Sequence, residues 1–235
     1  MYSAQNMVER AIERERAEQL TFMYKVYAIM TVGLGITGTV AMAVAQVPAL
    51  IELFVLNRVV FYGLLIAELV AVISFVALLE RVSVTGAAAL FGIYAVLNGL
   101  TFSVIFLVFT RASIASTFFV TAGTFGATSA YGFLTKRDLS SWGSFLFMGL
   151  IGIIIASLVN MFLASEMIYW LTSFAGVIIF TGLTAYDTQK IKRLNKLGNQ
   201  GTAEDHKEAM HGALILYLDF VNLFLYLLRF LGRRK

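Results

Sequence analysis

Three carboxylic acids stand inside apolar stretches of this chain: Glu68 in LLIAELVAVISF, Asp187 in GLTAYDTQKIK and Asp219 in HGALILYLDFVNLFLYLLRF. An ionisable group held in hydrocarbon is costly, so such positions are functional candidates by default. A carboxyl there can carry a proton, line a path for cations, or sit protonated and hydrogen-bonded as a packing group. For Glu68 the packing and the lining readings both stand. Asp187 alone would also suit a helix-end carboxylate that reaches water. Asp219 is harder to excuse, because its flanks LILYL and FVNLF are apolar. It also begins a pattern: Asp219, Asn222, Tyr226 and Arg229 are spaced by 3, 4 and 3, which puts them on one helix face. A polar stripe of that kind cannot face lipid cheaply and points to a cavity or pore. Tyr94, Asn98 and Thr101 form a similar stripe, and Ser157 and Asn160 a shorter one, for which ordinary interhelical hydrogen bonding is sufficient.

The elements that must carry these residues are apolar helices. The 235 residues are 59% hydrophobic and 14% charged, too little polar surface to cover a water-soluble globule of this size. Seven apolar segments, 24–45, 59–79, 85–109, 112–134, 142–164, 167–186 and 213–231, are each long enough to cross about 30 Å of hydrocarbon. One proline and no sustained period-2 alternation exclude an outer-membrane barrel. The expected architecture is all-α and polytopic: an N-terminal cytosolic arm over 1–21, then one seven-span domain over 22–235, with a single long polar interval at 187–212. A start of the last span near His211–Gly212 would place Asp219 about two turns in, and Asp187 would close the sixth span.

Basic residues orient the spans. One side receives 12 of them: Arg10, Arg14, Arg16, Lys25, Arg81, Lys136, Arg137, Lys190, Lys192, Arg193, Lys196 and Lys207. The other receives Arg58, Arg111, Arg229, Arg233, Arg234 and Lys235. The positive-inside rule therefore expects a cytosolic N-terminus and an external C-terminus in the cell (inner or plasma) membrane. A re-entrant last segment, which would return the terminal basic cluster to the cytosol, is the competing topology. The charged first 20 residues lack a cleavable-signal pattern. With the basic residues explained by topology, nucleic acid is not an expected partner; the lipid bilayer is.

Enzyme chemistry finds little material, and none is expected. There are no cysteines and two histidines, His206 and His211, and no H-E-x-x-H motif. Gly126-Ala-Thr-Ser129 superficially resembles a rhomboid nucleophile, but no histidine lies within another span. An intramembrane aspartyl protease would suit Tyr186–Asp187, yet Leu216-Tyr217-Leu218-Asp219 replaces the required Gly-x-Gly-Asp.

LYLDFVNLFLYLLR at 216–229 closely resembles the terminal signature of the Bax inhibitor family, the transmembrane Bax inhibitor motif proteins, in its bacterial form. GLTAYDTQKIK at 182–192 resembles that family's sixth-span motif, and the likeness runs from YAVLNGLTFS through TKRDLS to the C-terminus. The resemblance implies six helices around a central seventh and a pH-sensitive calcium leak gated near an aspartate pair, here Asp187 and Asp219. Those carboxylates would also touch calcium in transit, with no resident cofactor. Glu68 falls on a second-span acidic position seen in some bacterial relatives, and it joins Asn222 and Tyr226 as candidate pore lining. Some members pair the sixth-span aspartate with an arginine at the cytosolic end of the second span. Here that region reads LLERVS, so Arg81, beside Glu80, is carried over as a candidate counter-charge. The family also permits another class of function: a membrane-embedded regulator of a membrane protease or of cell-death and stress machinery, with no transport of its own.

Overall fold

The computed structural model describes residues 2–195 and 198–235; Met1, Lys196 and Leu197 lie outside the described residues, and with them Lys196 of the basic count and the first residue of the 1–21 arm. Seven long helices dominate: α1 (Tyr2–Gln46), α2 (Arg58–Leu78), α3 (Val84–Phe102), α4 (Arg111–Leu134), α5 (Ser140–Leu163), α6 (Glu166–Leu194) and α7 (Ala203–Leu231). Their starts follow ordinary capping chemistry. Asn57, Ser83, Thr110, Ser165 and Thr202 each accept a backbone N–H of the first turn of α2, α3, α4, α6 and α7. Among the described residues, six helices are long and apolar enough to cross a membrane. This is a multi-pass helical membrane protein. α4 is the helix left out of that six: its 24 residues suffice in length, but serines, threonines and glycines dilute its apolar character.

Burial runs opposite to that of a water-soluble protein. α2 and α5 have the most apolar windows, with mean hydropathies of 2.5 and 2.4, yet only 6% and 11% of each window is buried. Side chains such as Phe162, 89% exposed, point away from the bundle, where hydrocarbon solvates them. α7 is the reverse, with 56% of its window buried. It packs chiefly on α6, α1, α4 and α3. The expected ring of six around the seventh helix is therefore reduced to four principal neighbours. α2 packs mainly on α3 and α5 mainly on α6, because their uniformly apolar surfaces gain little from leaving lipid.

Several boundaries differ from the sequence expectation. α1 passes through the expected 21/22 arm boundary without a break. The third segment ends as a regular helix at Phe102, where Ser103 turns its hydroxyl onto the Leu100 carbonyl, and a short helical piece, Ile105–Val108, follows. The polar interval expected over 187–212 is mostly helix: α6 continues to Leu194 and α7 begins at Ala203. The polar residues there have partners. Gln189 accepts from the Leu139 N–H (2.9 Å) and donates to the Arg137 carbonyl (2.8 Å). Lys192 donates to the Phe133 carbonyl and Arg193 to Asp138. The end of α6 thus clamps the α4–α5 turn. The Asp138 carboxyl is held below its ordinary range, first by the Ser140 hydroxyl and backbone N–H and then by Arg193.

α7 runs for 29 residues, about 43 Å at 1.5 Å per residue, without a hairpin break. Its last residues lie at the opposite end of the bundle from the α6–α7 turn. There the Thr110 N–H donates to the Arg233 carbonyl (3.1 Å) and the Lys235 N–H to the Val108 carbonyl (2.9 Å). A continuous α7 removes the structural basis for a re-entrant last segment.

Candidate functional site

Asp187 sits seven residues before the end of α6 and Asp219 sixteen residues into α7, because both helices run past the expected span ends. The two helices are antiparallel, with Gly212 against Ile191 and Gly176 against the ring of Tyr226. That register sets Asp219 level with about residue 184, roughly one turn nearer the bundle middle than Asp187. Both aspartates line one cavity of about 670 Å³ between α5, α6 and α7. Asn222 and Tyr226 line it as well, and so does Lys190.

Glycines allow this convergence. A methyl group at Gly143 would run into the ring of Tyr186, so the glycine lets that side chain tuck between α5 and α6 beside Asp187. A methyl group at Gly176 would strike Tyr226, which instead stacks on Phe180 with centroids 5.7 Å apart. Asn222 spends its amide N–H on the Leu218 carbonyl (2.8 Å), which leaves its oxygen for the cavity.

The electrostatics are asymmetric. Asp219 is 5% exposed, and its Oδ2 has no hydrogen-bond partner. Leaving a buried polar oxygen unpaired costs about 1–3 kcal/mol, and more if it is charged. Each aspartate lies within the field of the other, and the cation acting on Asp187 is Lys190, one turn along the same helix. Arg81 is exposed in the turn between α2 and α3. Lys190 is the cation whose field reaches Asp187, and α3 is the main packing partner of α2.

Glu68 belongs elsewhere. It faces α3, where the Thr101 hydroxyl donates to its Oε1 (2.6 Å). Thr101 and Tyr94 of the α3 stripe are buried on the same side, and Tyr217 of α7 packs edge-on against Tyr94 with centroids 5.7 Å apart. The Tyr217 hydroxyl pairs with Thr37 of α1 (2.7 Å). Glu68 is therefore not part of the aspartate cavity's lining, and the candidate pore lining separates into Asn222 and Tyr226 on one side of α7 and Glu68 beyond the other. Asn160, from the shorter stripe, accepts the Ser165 N–H (2.8 Å) and so closes the α5–α6 turn.

Lys190 is the residue that sequence reading had assigned only to topology. Its spacing of three from Asp187 on a helix was the available signal. A buried hydroxyl chain was also missed: Tyr27 to Ser129 (2.6 Å) and Ser129 to Thr188 (2.8 Å), linking α1, α4 and α6. Its members are scattered over 162 positions of sequence, and nothing local marks them.

The family described as "Inhibitor of apoptosis-promoting Bax1" matches residues 19–235. The chain belongs to the Bax inhibitor family. It is 51% identical over 226 residues to inner membrane protein YbhL of Escherichia coli K12, covering 96% of this chain and 97% of YbhL. A Borreliella burgdorferi protein is 44% identical over 214 residues, 91% of this chain and 92% of its own. A Streptococcus pyogenes serotype M3 membrane protein is 39% identical over 215 residues, 90% and 92% of the two chains. Likeness over nearly the whole of each chain extends this bacterial membership to the stretch before Tyr94, which the quoted signatures did not reach.

Proposed function

We propose that this family member is a pH-sensitive calcium leak channel of the bacterial inner membrane, gated by Asp187 and Asp219. The reading rests on the cavity that both carboxyls line, with Asp219 Oδ2 buried and unpartnered. Calcium takes six to eight oxygens, and two carboxylates, the Asn222 amide oxygen and the Tyr226 hydroxyl supply part of that shell. Among the described residues no three His, Asp or Glu side chains gather to hold a metal. A partial, wet shell suits an ion that must also leave.

In this reading α4 crosses the membrane as a seventh span, so the N-terminus is cytosolic and the C-terminus external. The protons on the pair set the gate. A shared proton lets the two carboxyls hydrogen-bond and holds α6 to α7; its loss leaves two like charges that repel and offer oxygens to the cation. Purified protein in dye-loaded liposomes tests this. Calcium should enter unaided, with a pH dependence that either aspartate-to-asparagine variant changes. A calcium-silent wild type would favour the regulator of a membrane protease or stress machinery instead.

A further inference from the structure

The end of the bundle that holds the chain's last residues carries six basic residues (Arg58, Arg111, Arg229, Arg233, Arg234 and Lys235) and two acidic ones, Glu52 and Glu166. A pocket of about 490 Å³ lies in it, between the α5–α6 turn and the end of α7. Arg229 and Arg234 both line this pocket, with Tyr169 between them. The Arg229 guanidinium is 5.9 Å from the centroid of that ring, and the Arg234 guanidinium is 5.8 Å from it. Arg234 also donates to the Tyr169 hydroxyl (3.3 Å). Among the described residues neither arginine forms an ion pair.

The arginines are held in place before any ligand arrives. Arg229 also stands over Tyr226, 5.2 Å from the ring centroid, on the last turn of a continuous helix. Arg234 lies on a tail pinned by backbone bonds on both sides: Arg233 N–H to the Ser113 hydroxyl (2.8 Å) and Lys235 N–H to the Val108 carbonyl (2.9 Å). Pre-set guanidinium groups meet phosphate oxygens in a matching fork, with little side-chain freedom left to lose. Glu166 also lines the pocket and opposes an anion there, so the balance is two positive charges against one negative.

The rim identifies the source of the anion. Trp170 lines the pocket and meets Phe230 edge-on, with centroids 5.3 Å apart, and both are half exposed on the outer surface. Tryptophan at a helix end is characteristic of the headgroup level of a bilayer. We propose that this pocket binds the phosphate of an anionic phospholipid, with Arg229 and Arg234 as its ligands and the Trp170–Phe230 pair against the first part of the acyl chains. The pocket is distinct from the aspartate cavity, although Arg229 stands over Tyr226 of that cavity, and the lipid reading does not rest on ion flux.

The test uses the full chain in a neutral maltoside detergent, titrated with phosphatidylglycerol or with phosphatidylcholine of the same acyl chains while thermal unfolding is followed by circular dichroism. Phosphatidylglycerol should raise the midpoint saturably and phosphatidylcholine should not. The double variant Arg229→Gln/Arg234→Gln should need about tenfold more phosphatidylglycerol for half its effect. Arg111→Gln, at the same end but outside the pocket, should titrate like the wild type. Should the double variant fold poorly, Trp142→Phe leaves Trp170 as the sole tryptophan. Its emission in vesicles should then be quenched more by brominated phosphatidylglycerol than by brominated phosphatidylcholine. Equal responses to the two lipids, or equal weakening by Arg111→Gln, would overturn the proposal. An equal midpoint shift from inorganic phosphate alone would reassign the pocket to a soluble anion.

Discussion

The two sides of α7 hold acids in opposite circumstances. On one side Glu68 is met by the Thr101 hydroxyl, close to an aromatic and hydroxyl network that ties α7 to α1 and α3. On the other, Asp219 faces a cavity with Oδ2 unpartnered and a second carboxyl in its field. An acid whose oxygen is satisfied by a neighbouring helix contributes to packing. An acid left without a partner beside a cavity and another acid is held in an unfavourable state that a cation or a proton relieves. In sequence each is one carboxyl in an apolar run, and only the polar stripe that follows Asp219 sets the two apart.

The largest effect should come from the unsatisfied side. Asp187→Asn or Asp219→Asn should change the profile of calcium flux between about pH 5 and pH 8 in liposomes, since the remaining carboxyl titrates without a like charge beside it. A profile identical to wild type in both variants would erase the distinction between the two sides. Next, Gly176→Ala should push Tyr226 off Phe180 and cost about 1–3 kcal/mol by overpacking, read as a lower denaturation midpoint together with altered flux.

Part of this comparison was legible beforehand. The polar stripe from Asp219 pointed to a cavity, and Asp219, Asn222 and Tyr226 do line one, while Arg229 at its end is exposed and lines the other pocket. The all-α, multi-pass class followed from composition and segment length, whereas the ring of six around a seventh did not. Helix ends were less legible: TQKIKRL looks like loop, and it is helical because Gln189, Lys192 and Arg193 find acceptors in the α4–α5 turn, which lies over 50 residues away. The same holds for Glu68. Its local run carries no sign of Thr101, and only the packing of α2 on α3 separates it from the aspartates.

The satisfied side should respond less. Glu68→Ala removes the acceptor of the Thr101 hydroxyl and should cost about 1 kcal/mol, measured by thermal unfolding. Glu68→Gln keeps an oxygen in place and should leave both stability and calcium flux near wild type; a large loss of flux would move Glu68 to the functional side. The smallest effect is expected at Asp138. Its folded-state carboxyl titrates below 3.8, so its contribution is fully present above that value and is lost as pH falls through the lower, folded-state value. Asp138→Asn should leave unfolding at neutral pH almost unchanged and slightly reduce its acid sensitivity, as expected of an exposed ion pair.

The burial of α7 bears on the order in which the protein is made. Synthesis runs from the N-terminus, so α1, α3, α4 and α6 are produced before the helix that packs against all four of them. Until α7 arrives, Thr37 lacks the Tyr217 hydroxyl and the small-residue face of α6 around Gly176 has nothing to close against. The earlier helices can insert one by one, but their final association waits for α7. A ribosome that stalls before α7 therefore leaves a membrane-inserted chain with exposed polar seams, the kind of substrate that membrane quality control removes.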